Sequence, residues 1–287
     1  VSALPENIDR ASREMMIAGG IAPLQGIKEA MIGVAGAAAY GERRARLTAA
    51  GTAAALRLSR AGPSAGEIED LSEWEGKQRL AAAGIPVPEG RLADAKTAPA
   101  AAEDLGFSVA VKMASRQLSH KTEAGAVRLG LASAAEVADA VAAITESVAA
   151  CAPEALGGDF LVERMIEEPV AEVLIGIRRD SQFGQVMVLA SGGTLVELVR
   201  DSRTLLLPTD RQSVSEALAS LKVSKLLAGF RGRPAGDRAA AVDAVLALAA
   251  FAEAQRDTLE ELEINPLLVL RDGVAAVDVL LRLRSGG

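Results

Sequence analysis

The sequence predicts a mixed fold, α+β or α/β, of two small lobes that each carry a mostly antiparallel sheet, preceded by an N-terminal helical segment. Two observations lead there. Residues 1–60 are Ala-rich and place apolar residues at i, i+3 and i+4 spacing, the period of helices. Beyond residue 66, short β-branched runs alternate with longer helical ones, and Asp272-Gly273 between two apolar runs signals a hairpin.

Taken in order, Glu6 to Met16 and Ile27 to Ala39 read as helices around a Gly- and Pro-containing loop, Gly19 to Gly26. Gly41 to Arg60 reads as a third helix, and Ala61-Gly62-Pro63-Ser64-Ala65-Gly66 as a linker. Ser72 with Glu75 three residues on forms a capping box for a helix ending near Gly84. Strands are expected at Ser108–Met113, Ala126–Leu131, Phe160–Met165, Ala171–Ile177, Gln185–Ala190, Leu262–Leu270 and Val274–Leu280. Helices are expected at Ala134–Ala149 and Asp237–Ala254, and a hairpin turn at Arg179–Gly184.

The 287 residues suit about two domains. Half are hydrophobic but only 2% aromatic, so the core must be built from Ala, Val, Leu and Ile. A net charge of −7 with no basic stripe argues against a nucleic-acid surface. Cys151 is the only cysteine, so no internal disulfide can form; a reducing, cytoplasmic location is expected. No apolar run approaches the ~18 residues of a membrane span, and Val1 to Pro5 lacks the order of a secretory signal. The missing initiator Met leaves a processed or partial chain open.

A nucleoside triphosphate needs a lysine and small residues at its phosphates, hard oxygen ligands for its Mg²⁺, and a carboxylate at its ribose. Lys112 ends an apolar strand; read alone, it is equally a lysine snorkelling at a strand end. His120 is the only histidine and lies in the polar loop Ser115 to Gly125, beside Lys121. Cationic neighbours favour its neutral imidazole, which can attack phosphorus, although a lone loop histidine is usually a surface residue. Glu163 and Glu172 sit in two apolar strands around Glu167-Glu168-Pro169 and suit ribose and metal-phosphate contacts. Asn265 and Asp278, on two neighbouring strands, can meet one metal ion.

Residues 67–287 resemble the ATP-grasp domain of the NDP-forming (ADP-forming) acyl-CoA synthetases, relatives of succinyl-CoA synthetase beta subunits. The resemblance is carried, in order, by Leu71–Lys77, Gly84–Pro88, the Lys112 strand, Ser119–Gly125, Leu161-Val162-Glu163, Ser191–Glu197, Glu263–Leu267 and Ala276-Val277-Asp278. It implies a two-lobed ATP-grasp fold with nucleotide between the lobes. Lys112 would hold phosphates, Glu163 lie by the adenosine, and Glu172 face the ribose or phosphates. Asn265 and Asp278 would hold Mg²⁺, and Gly192, Gly193 and Glu197 would line the cleft. His120 matches the loop histidine that carries a phosphoryl group to a second histidine on the CoA-ligase domain. Residues 1–60 are similar to the tail of that domain. The CoA-binding domain and its own histidine are not in this sequence, so CoA, the small carboxylic acid and complete catalysis call for partner domains or subunits, and an oligomer is expected. Family members often carry glycine where Ala126 and Ser191 stand. Three other readings remain: a sensing domain of a protein acetyltransferase, an ATP-grasp carboxylate–amine ligase, and a plain interaction module.

Overall fold

The computed structural model describes residues 8–49, 66–118, 124–193 and 201–285. The chain divides into two units, Val1–Arg57 and Leu58–Gly287.

In the first unit, the Asp9 carboxylate accepts a hydrogen bond from the Ser12 amide and so starts helix α1 (Arg10–Ala18). Helix α2 (Ile27–Ala49) is continuous over 23 residues. The break expected before Gly41 does not occur. One interior glycine costs a helix only about 1 kcal/mol, and no proline or cap follows to end it. The rest of the expected third helix and most of the linker lie outside the described residues. Helix α1 buries none of its residues, and Met15, Ile17, Met31, Ile32 and Tyr40 are exposed.

The second unit begins with β1 (Ile68–Asp70) and α3 (Glu73–Ala82), then β2 (Gly90–Ala93), α4 (Ala98–Leu105), β3 (Val109–Ala114), β4 (Val127–Leu131), α5 (Ala134–Cys151) and β5 (Asp159–Arg164). It continues with β6 (Ala171–Asp180), β7 (Gly184–Ser191), β8 (Ser202–Leu206), α6 (Arg211–Ser220), the short α7 (Ser224–Leu227), α8 (Arg238–Ala254), β9 (Leu259–Val269), β10 (Val274–Ala276) and β11 (Val279–Arg284).

These strands form two sheets. The smaller has the order β2-β5-β3-β4; the larger runs β1-β11-β9-β6-β7-β8, with β10 beside β9. Every pairing among the described residues is antiparallel, where the sequence predicts mostly antiparallel sheets. Helices α4 and α5 cover the small sheet through Ala102, Leu105, Val141 and Ile144, which meet Val109, Val111 and Phe160. On the large sheet, Ala171, Val173, Ile175 and Ile177 alternate along β6 and pack with Val214, Val245 and Leu248 of the helices. The fully buried part of that core contains no aromatic side chain. Among the described residues, no helix is long and apolar enough to cross a membrane.

Two local features position the site. The capping box at Ser72 is present, with Ser72 Oγ accepting from the Glu75 amide and the Glu75 carboxylate accepting from the Ser72 amide. In β9 the register against β6 slips between Val173 and Ile175, so that Asn265 and Pro266 together oppose Leu174. The expected last strand is in fact two, β10 and β11, interrupted at Val277-Asp278.

Candidate functional site

Four charged side chains converge where α3, β3 and β5 meet the β10–β11 break. Lys112, on β3, is only 7% exposed, so the structure excludes the snorkelling alternative. Its Nζ donates to Glu73 Oε1 at 2.6 Å and to the Val277 carbonyl at 2.6 Å, and lies 3.0 Å from Glu163 Oε2. Lys77, 1% exposed, sits 2.7 Å from the same Glu73 oxygen, donates to the Val277 carbonyl at 2.9 Å and pairs with Glu163. Glu73 and Glu163 are each 2% exposed.

The local sequence explains this convergence. Glu73 and Lys77 are one helical turn apart and lie on the same face of α3. Glu163 lies opposite Gly90 on β2 and Ala110 on β3. A Cβ at position 90 would come within 2.9 Å of Glu163 Cγ, so glycine leaves the carboxylate its path.

Burial pushes the Lys112 ammonium towards neutrality, but Glu73, Glu163 and Asp278 outweigh it and hold its pKa well above the ordinary lysine value. Lys77 goes the other way: burial and the nearby Lys112 charge lower its pKa, against the pull of Glu73 and Glu163.

Asp278 belongs to the same neighbourhood, since its charge acts on Lys112. Ile264 pairs with Val279, so the β9–β11 register continues to set Asn265 beside Asp278, and the Asn265 backbone amide donates to the Asp278 carbonyl at 3.2 Å. Asn265 Nδ2 reaches Glu263 Oε1 at 3.3 Å, which leaves the amide oxygen as the donor atom for a cation. A carboxylate and an amide oxygen are the hard ligands Mg²⁺ prefers, and Mg²⁺ commonly takes only one or two protein groups beside phosphates and water. Among the described residues no group of three or more His, Cys, Asp or Glu is arranged to hold a metal.

Glu172 forms a second group. It lies between the core-facing Ala171 and Val173 and so points away from the helices. The Gly192 amide donates to the Glu172 carbonyl at 2.8 Å. A Cβ on Gly192 would stand 2.7 Å from the Glu172 backbone, and one on Gly193 would lie 3.6 Å from Glu172 Oε2. Gly192 therefore lets this turn close against Glu172, while Gly193 is needed for its backbone, at φ 100°. Ser191 donates to the Asp201 carboxylate and accepts from the Val223 amide at 3.1 Å, so its hydroxyl ties β7 to the loops beyond. Ala126 is fully buried, and its carbonyl accepts from the Met113 amide at 3.0 Å.

His120 and Glu197 lie outside the described residues, with 119–123 and 194–200. The base of the His120 loop is described. Arg116 pairs with Glu69 of β1 and with Glu75 on the outer face of α3, the helix that carries Glu73 and Lys77 on its inner face. Glu73, Lys77 and the Val277 carbonyl are site groups that sequence reasoning did not single out.

Residues 64–283 match the family described as the ATP-grasp domain. The chain belongs to the ATP-grasp family. Relatives that it resembles include ADP-forming CoA ligases. It is 35% identical over 216 residues to the beta subunit of acetate–CoA ligase [ADP-forming] II of Pyrococcus furiosus, covering 74% of this chain and 90% of that subunit. It is 33% identical to the 4-hydroxybutyrate–CoA ligase [ADP-forming] of Nitrosopumilus maritimus, but spans only 29% of that longer protein. Among solved structures, acetyl-coenzyme A synthetase 1 of Ca. Korarchaeum cryptofilum, in complex with coenzyme A and Ca-AMPCP, superposes with a TM-score of 0.71 at 32% identity, covering 75% of this chain and 94% of that one. Another structure of that enzyme, with Mg-AMPPCP and its phosphohistidine segment pointing towards the nucleotide binding site, has a TM-score of 0.64 at 31% identity and covers 75% of this chain and 93% of that one. The two-lobed ATP-grasp fold expected from the sequence is the fold observed.

Proposed function

We propose that this chain is the ATP-binding, phosphoryl-transferring part of an ADP-forming acyl-CoA synthetase, which converts an acid, CoA and ATP to acyl-CoA, ADP and phosphate. The observation that carries this reading is the convergence of Lys112, Glu163, Asp278 and Asn265, drawn from four separated segments, in a member of the ATP-grasp family. Catalysis here is positioning and charge neutralisation, as in phosphoryl transfer generally. Lys112 holds the phosphates, Glu163 lies by the adenosine, and Glu172 faces the ribose or phosphates. Gly192, Gly193 and Glu197 line the cleft. Asn265 and Asp278 would hold Mg²⁺, which neutralises phosphate charge when bound.

His120 takes the phosphoryl group. Its imidazole nitrogen bonds to the γ-phosphorus while the bond from phosphorus to the bridging oxygen breaks, and ADP leaves with that electron pair. The loop then passes the group to a histidine on a CoA-ligase partner. There the acid accepts it as acyl phosphate, and the CoA thiol displaces phosphate. The partner is a CoA-binding and CoA-ligase domain or subunit, with residues 1–60 as the tail of such a domain and 67–287 as the ATP-grasp domain. The exposed Met15, Ile17, Met31 and Ile32 support an N-terminal unit that packs against further chain. A cytoplasmic location is part of the proposal and is supported by the lone cysteine.

The test is incubation with γ-labelled ATP and Mg²⁺ beside a His120→Ala variant. Acid-labile, base-stable label in the parent chain and none in the variant is expected. Label that persists in the variant rules out His120 as the carrier. A chain that binds ATP and takes no label, even with a CoA-ligase partner added, would be a sensor and not a synthetase part.

A further inference from the structure

Lys77 and Lys112 share the same acceptors. Both ammonium groups reach Glu73, Glu163 and the Val277 carbonyl, so each has its three protons spoken for. A Lys112 so engaged cannot serve a phosphate until it lets go of some of them. What it leaves behind is two buried carboxylates, and a buried carboxylate without a counter-ion is strongly disfavoured. We infer that Lys77 is a positioning residue, which keeps Glu73, Glu163 and the Val277 carbonyl satisfied while Lys112 turns to the nucleotide. This rests on the nucleotide reading of the cleft.

The charges make the idea testable. The four groups are balanced, two ammonium against two carboxylate. When Lys112 leaves, one net negative charge stays behind. Without Lys77 two would stay, and Lys112 would be held back. Removing one carboxylate as well restores the original balance. Lys77→Met should therefore weaken nucleotide binding, and Lys77→Met with Glu73→Gln should recover it, although the double variant has lost two buried site residues. A lysine that itself touched phosphate would not be replaced in this way.

The measurement is calorimetric binding of Mg-ATP to the full chain and its variants, with thermal unfolding beside it. The expected result is affinity lowered roughly tenfold or more in Lys77→Met, an intermediate value in Lys77→Arg, and near-parent affinity in the double variant. Parent-like binding by Lys77→Met overturns the inference. So does a folded double variant that binds as weakly as the single one. Should Lys77→Met not fold, the double variant compared with the parent chain still decides. A parent chain that binds no adenine nucleotide removes the proposed function, and this inference with it.

Discussion

An alanine at position 192 would put a methyl carbon within 2.8 Å of the Glu172 backbone, in a turn that cannot move without breaking its hydrogen bond to that residue. Gly192→Ala should cost about 1–3 kcal/mol in urea denaturation, the usual penalty of overpacking, and should weaken nucleotide binding too. Lys112→Met goes deeper, since it leaves Glu73 and Glu163 with one ammonium between them. A loss of about 3 kcal/mol or more is expected, and retention of parent stability would contradict the ion cluster. At this scale the sequence was legible where a residue was out of keeping with its surroundings. Lysine at the end of an apolar strand, or glutamate within one, stands out. Glu73 and Lys77 did not, because a Glu–Lys pair one helical turn apart usually reads as a solvated surface pair; only the fold places that turn against β3 and β5.

Among the elements, α3 depends most visibly on its start. Ser72 and Glu75 satisfy each other's backbone amides, and Glu75 also anchors Arg116 at the base of the His120 loop. Ser72→Ala should destabilise the chain by about 1 kcal/mol, read from the denaturation midpoint. The capping box was legible because its two residues are local. Other elements were not: β1 and β2 have three and four residues, too few to show a period, and exist because β11 and β5 offer them an edge. Helix α6 is polar over much of its length, with Arg211, Gln212, Ser213, Ser215 and Glu216, and is held by Val214, Ala217 and Leu218 facing the core. The β9–β11 pairing that sets Asn265 beside Asp278 is a matter of register between separate strands, so the sequence offered the two residues and the sheet their meeting.

For the molecule as a whole, acid is the predicted weakness. Hydrogen bonds from Thr97 to Asp94, from the Phe183 amide to Asp180 and from the Ala240 amide to Asp237 hold these carboxyls below the ordinary 3.8. Burial raises Asp201 and Glu75, but Ser191 and Arg116 outweigh it and both end below their ordinary values. A carboxyl whose folded pKa is depressed contributes stability above its unfolded value and loses it as pH falls through the folded one. These groups should leave stability unchanged between pH 7 and about 5 and erode it below about 4; denaturation midpoints across that range check this, and a flat profile down to about pH 3 would contradict it. One further property belongs to the whole chain. One acceptor that both lysines share is the carbonyl of Val277, in the segment between the last two strands of the large sheet, while Lys112 comes from the small one. That part of the site is written in the peptide link and not in a side chain. Inherited substitutions at 277 can therefore change its side chain freely and leave the acceptor in place, and a mutational screen would score the position as tolerant. Only chemistry on the backbone, such as an ester in place of the 277–278 amide, would expose what that position does.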